Sequence, residues 1–148
     1  MIDRFNRFSF CISEISRCWH KLASEEMANY GLKGPHAMYL TVLRHHSDGL
    51  TAAQLCELCS RDKADVSRSV AVMEEKGLVQ RAGDNGYRAK LLLTQSGKEA
   101  ADHVCRRASL AVELAGKDIS DSDRDVFYDA LTSITNNLKA LCREGLPE

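Results

Sequence analysis

The residues in this chain best suited to chemistry are three cations and a run of short polar side chains. Arg68 lies in the stretch Lys63-Ala64-Asp65-Val66-Ser67-Arg68-Ser69, and Arg88 and Lys90 follow the turn-like segment Asp84-Asn85-Gly86-Tyr87. Guanidinium and ammonium groups bind phosphate, and arginine also pairs with the acceptor edge of guanine. Short side chains such as Ser67 and Ser69 let a backbone approach base edges closely. This set suits recognition of nucleic acid rather than bond making.

Other reactive side chains are present without a pattern that organises them. The six cysteines are Cys11, Cys18, Cys56, Cys59, Cys105 and Cys142. A disulfide framework belongs to small secreted domains that lack a core, whereas each of these cysteines sits in a helical pattern rich in apolar residues, so free thiols are expected. Cys56 and Cys59 form a lone C-x-x-C. Structural zinc needs four ligands, and His45 and His46 would join only through the fold, so neither metal nor cofactor is expected. Cys11 and Cys18, on one side of the first helical segment, are candidates for a thiol switch, set against the plainer view that they are small core residues. No phosphate-binding glycine loop, G-x-S-x-G elbow or H-E-x-x-H motif occurs, so an enzyme is not expected.

These side chains must be positioned by a chain of 148 residues, read as a single domain over 1–148. Few prolines, and apolar residues recurring at steps of three and four, predict a mainly α protein. No apolar run approaches the roughly 20 residues of a membrane span. Arg4, Arg7 and Glu14 interrupt the apolar start, against a secretory signal. A cytoplasmic protein with no membrane partner is expected. The formal net charge of −1 hides a polarity, since residues 61–90 sum to +2 and residues 113–129 to −4.

Phe5, Phe8, Ile12, Ile15, Trp19 and Leu22 form one helical seam that ends at Tyr30-Gly31. Gly34-Pro35 opens a second helix carrying Met38, Leu40, Val42 and Leu43 and stopping near Asp48-Gly49. Thr51 and Gln54 read as a capping box for a short helix holding Leu55 and Leu58. After Ser60-Arg61, Asp62 caps a helix whose inner face is Val66, Val70 and Met73, and Lys76-Gly77 ends it. Leu78–Arg81 and Arg88–Leu93 then read as strands joined through Asn85-Gly86, a strong hairpin signal. Thr94 caps a long helix, and Ser120 caps a last one bearing Phe127, Leu131, Ile134, Leu138 and Leu141. The expected fold is six helices and a small β-hairpin wing: a winged helix-turn-helix.

In that arrangement the helix from Lys63 buries Val66, Val70 and Met73, leaving Lys63, Asp65, Ser67, Arg68 and Ser69 toward the major groove. The hairpin is the wing, whose Arg88 and Lys90 suit the narrow, electronegative minor groove. Thr51 begins a helix whose free amides suit a phosphate. A simple helical hairpin with solvated cations is the plain alternative.

Here the sequence resembles the MarR family of bacterial transcription regulators over about residues 31–97. The resemblance is carried by LTAAQLCELCSRDKADVSRSVAVMEEKGLV and YRAKLLLTQSGKEA, with Leu93, Thr94 and Gly97 following the wing arginine. It implies a winged-helix homodimer with interlocking terminal helices (about 1–30 and 98–148) on a pseudo-palindromic promoter site, usually as a repressor released by a small ligand or by oxidation. Family DNA contacts map onto Thr51, Lys63, Asp65, Ser67, Arg68, Arg88 and Lys90. The family also suggests a ligand pocket that Trp19, His36, Met38 and Tyr39 would line, residues equally suited to a core. One departure is the wing: many members have a longer one with an aspartate-x-arginine element, whereas Asn85-Gly86-Tyr87 is compact.

The dimer has independent support. Phe5, Phe8, Ile12 and Ile15, and Phe127, Leu131, Ile134, Leu138 and Leu141, offer more apolar surface than one winged helix needs. Each such side chain buried is worth about 1.5–3 kcal/mol. The partners expected are therefore double-stranded DNA, a second copy and a small-molecule effector. A thiol-oxidation sensor of the same fold is one alternative. The other is a protein-interaction adaptor that has lost DNA binding, against which Arg68, Arg88 and Lys90 weigh.

Overall fold

Hydroxyl and carboxylate caps decide where four of the helices begin. In the computed structural model, which describes residues 2–83 and 88–147, the helices are α1 (Ile2–Ala28), α2 (His36–Arg44), α3 (Ala52–Cys59), α4 (Lys63–Glu75), α5 (Gln95–Ala115) and α6 (Asp121–Glu144). Thr51 and Gln54 form the reciprocal capping box at α3, and Asp62 accepts from the Asp65 amide at 2.7 Å at α4. Thr94 takes the Gly97 amide at α5 and Ser120 takes the Asp123 amide at α6. Proline 35 caps α2 with helical dihedrals, one position before the first helical residue. That helix also ends sooner than the Asp48-Gly49 signal suggests. The His45 and His46 rings donate to the carbonyls of Thr41 and Val42, satisfying its last turn locally.

The contacts divide the chain into two compact units, Met1–Ser109 and Leu110–Glu148. In the first, β1 (Val79–Ala82) pairs antiparallel with β2 (Lys90–Leu93), Val79 opposite Leu93 and Ala82 opposite Lys90. Leu50 bridges Leu91 on the other edge of β2, so β2 is the middle strand at its base. Gly49, at φ 83°, turns the chain into that bridge in a conformation glycine adopts without strain. Period-two burial follows, with Leu91 and Leu93 inside and Lys90 outside.

The core lies among α2, α3, α4, the sheet and the start of α5. Tyr39, Leu40, Leu55, Val66, Val70, Met73 and Leu91 are its most deeply buried members, joined by Met27 from the end of α1. In α3 the buried pair is Leu55 and Cys59, one turn apart; Leu58 faces outward. Ahead of Met27, α1 exposes Phe5, Phe8, Ile12, Ile15, Trp19 and Leu22. No helix among the described residues is long and apolar enough to cross a membrane.

The second unit is the end of α5 with α6. Arg124 donates to the Glu113 carboxylate and to the Gly116 carbonyl, closing the turn between them. No residue of α6 is buried, and Phe127, Ile134, Leu138 and Leu141 stand exposed on it, with Leu131 half-buried.

Candidate nucleic-acid interface

Between α3 and α4 the chain reverses in three residues. Ser60 adopts a left-handed conformation at φ 51°, and the Arg61 amide reaches back to the Cys56 carbonyl, an end motif that satisfies the last turn of α3. Asp62 then restarts the helix. This is the tight turn of a helix-turn-helix, and it leaves the first half of α4 at the surface.

Along α4 the buried positions are Val66, Ser69, Val70 and Met73, a face of three- and four-residue steps. Lys63, Ser67 and Arg68 stand outside it and are exposed, and Thr51, at the mouth of α3, is half-buried. Two expectations change here. Ser69 falls on the inner face at 5% exposure, so it is a core residue and not part of the outer surface. Asp65 is only half exposed, and its Oδ2 accepts a 2.7 Å hydrogen bond from the Tyr39 hydroxyl. Arg68 carries no intramolecular partner among the described residues, and its guanidinium is open to an external anion.

The wing is anchored to this helix at several points. Arg81 of β1 donates to Glu74 of α4 at 2.8 Å. Thr94 donates its hydroxyl to the Gly77 carbonyl at 2.6 Å, and its amide bonds the Leu78 carbonyl at 3.0 Å. A Cβ on Gly97 would run into that same Leu78 carbonyl. The Leu93-Thr94-x-x-Gly97 signature thus clamps the start of α5 onto the turn that follows α4. Arg88, just before β2, and Lys90, its first residue, are exposed. The expected Asp84-Asn85-Gly86-Tyr87 tip lies outside the described residues.

More ion pairs, between residues far apart in sequence, fix α5 against the lobe. Arg44 of α2 meets Asp102 through two nitrogens, at 2.7 and 3.2 Å. Glu26 of α1 accepts from Arg107 at 2.7 Å and from His103 at 3.1 Å. The Arg107 hydrogen bond, opposed by partial burial and aided by His103, holds the Glu26 carboxyl below its ordinary range.

Of the four residues suggested as pocket lining, His36 and Tyr39 are buried, Met38 is half-buried, and Trp19 lies on the exposed face of α1. His36 accepts the Lys33 amide on Nδ1, and burial pulls its pKa down. Burial, then the Asp65 carboxylate, pushes the Tyr39 phenol above its ordinary value. Cys59 is buried, and that burial raises its thiol pKa; Cys56 is half-buried, while Cys11 and Cys18 are exposed on α1. Among the described residues no group of three or more histidine, cysteine or acidic side chains stands ready to hold a metal ion.

Residues 30–88, which span α2, the helix-turn-helix and β1, match the MarR family model. Over that stretch the chain is similar to the MarR family. Its fold, a winged helix, follows solved MarR structures over most of its length. It is similar to a MarR transcriptional regulator from Methanosarcina mazei at 20% identity, with a TM-score of 0.79 over 92% of this chain and 99% of that one. The DNA complex of MepR from Staphylococcus aureus superposes with a TM-score of 0.78 at 21% identity, over 88% and 96% of the two chains. CouR from Rhodococcus jostii bound to p-coumaroyl-CoA gives 0.71 at 21% identity, over 86% and 90%. No curated protein matches the sequence.

Proposed function

We propose that this protein is a cytoplasmic MarR-family repressor that binds a pseudo-palindromic promoter site as a homodimer and is released by a small ligand. The observation that carries the reading is the state of its cations. Arg68 on α4, and Arg88 and Lys90 at the start of the returning wing segment, are exposed with no partner among the described residues, while Arg44, Arg81, Arg107 and Arg124 are each held in ion pairs. In this reading Lys63, Ser67 and Arg68 meet the major groove, Arg88 and Lys90 the minor groove, and the α3 N-terminus at Thr51 a phosphate. Lobe 31–97 reads DNA, and segments 1–30 and 98–148 join two copies into one domain assembly. Phe5, Phe8, Ile12 and Ile15 on α1, and Phe127, Leu131, Ile134, Leu138 and Leu141 on α6, form the seam. Ligand-bound CouR supports a small effector, with Trp19 and Met38 the accessible members of the suggested lining.

Replacing Arg68 and Arg88 together with alanine tests this. Each lost phosphate contact should lower the slope of log affinity against log salt by about 1 and weaken binding to many sequences alike. Unchanged affinity would instead favour a protein-interaction adaptor. Exposed Cys11 and Cys18 favour one second reading, a thiol-sensing regulator. Seven helical residues separate them by about 10 Å, beyond the roughly 7 Å Cα limit for a disulfide. Oxidation in this reading would join two copies, visible as a dimer on a non-reducing gel that Cys11→Ser or Cys18→Ser abolishes.

A further inference from the structure

We infer that Tyr39 and Asp65 form a polar hinge pin that sets the rotation of α4, so that Asp65 acts in DNA recognition as a positioning residue and not as a base reader. The inference rests on the DNA-binding reading above.

Tyr39 is fully buried in the centre of the lobe, so its hydroxyl must find a partner inside the protein. It donates to Asp65 Oδ2 at 2.7 Å, a charge-assisted bond. Asp65 lies in the first turn of α4. One phenol on α2 therefore holds the first turn of the helix that presents Ser67 and Arg68.

The other restraints on that end of α4 differ in kind. Val66, Val70 and Met73 are apolar, and their packing is non-directional. It sets how deep the helix lies but says little about its rotation. The Asp62 cap acts within the chain of α4 itself, and the Arg61–Asp65 pair is long at 4.0 Å. The Tyr39–Asp65 bond, by contrast, is short, directional and made to another element. It also keeps the Asp65 charge turned toward the lobe.

Three substitutions separate positioning from reading. Tyr39→Phe removes one oxygen and keeps the ring that fills the core. Asp65→Asn removes the charge but keeps an oxygen to accept the phenol. Asp65→Ala, at a half-exposed position, removes both. In the DNA-free protein, amide hydrogen exchange over residues 63–69 should quicken by about tenfold in Tyr39→Phe and Asp65→Ala, the scale of one lost charge-assisted bond. Asp65→Asn should exchange like the parent. On DNA, Tyr39→Phe and Asp65→Ala should lose about tenfold in preference for the parent's selected site over random duplex. Their non-specific affinity should change little, and combining Tyr39→Phe with Asp65→Ala should add nothing. The inference is overturned if Tyr39→Phe keeps both protection and site preference, or if Asp65→Asn shifts the preferred base while Tyr39→Phe does not. If the parent protein selects no site, the DNA-binding reading fails by itself. The exchange measurement then still decides whether the pair holds α4.

Discussion

Replacing Gly97 with alanine should destabilise this protein, although helix propensity alone predicts the reverse. Gly97 is the third residue of α5. In an open helix, alanine in place of glycine gains about 1 kcal/mol. Here the added methyl would run into the Leu78 carbonyl oxygen and sit 3.2 Å from Leu93 Cδ2. The carbonyl has no easy retreat, because it already accepts the Thr94 amide at 3.0 Å. Overpacking a well-filled site costs about 1–3 kcal/mol, and a backbone obstacle places this case at the upper end. Subtracting the propensity gain leaves a loss of about 2 kcal/mol. For a chain of this length that is a drop of about 4–8 °C in Tm. Urea and thermal unfolding at one fixed protomer concentration would measure it, since assembly makes stability concentration-dependent. A stabilised Gly97→Ala protein, or one unchanged within about 0.5 kcal/mol, would refute the clamp between α5 and the turn after α4.

Two other outcomes are expected of this fold. Glutamate at both Leu131 and Leu138 should give monomers in sedimentation and poor affinity for an inverted repeat, because the two side chains contribute about 3–6 kcal/mol of burial per copy; a stable dimer would refute the α6 seam. The Glu26 carboxyl titrates in the folded state below its ordinary value near 4.5, held down first by Arg107. Its contribution to stability is therefore present above that pH and fades as pH falls through the lowered value. Tm between pH 5 and pH 3 should fall more steeply for the parent than for Glu26→Gln, and parallel curves would show that the Arg107–Glu26–His103 cluster does nothing for folding.

The elements were legible because their signals are local. Thr51, Asp62, Thr94 and Ser120 cap the helices their spacing predicts, and Lys76-Gly77 ends α4 with Gly77 at φ 71°. The exposed cations Arg68, Arg88 and Lys90 were also visible, since charge and position along the chain suffice to place them. What the sequence concealed depends on partners far along the chain. Tyr39 meets Asp65 across 26 residues, and Glu26 meets His103 and Arg107 across 77 and 81. Ser69 looks like a surface serine beside Arg68, yet its rotation about α4 aligns it with Val66 and Val70 on the buried face. Leu58 misleads in the opposite sense. An apolar residue three positions after Leu55 fits the helical period, but the face that meets α2 and α4 continues through Cys59.

Sequence-specific DNA binding by a twofold assembly is tested most directly by selection from a random duplex pool with purified protein at moderate salt. The expected result is enrichment of an inverted repeat with half-sites one helical turn, about 34 Å, apart, lost when Arg68 and Arg88 are both alanine. Recovery of duplexes with no shared sequence, from protein shown to be folded and free of bound ligand, would contradict it.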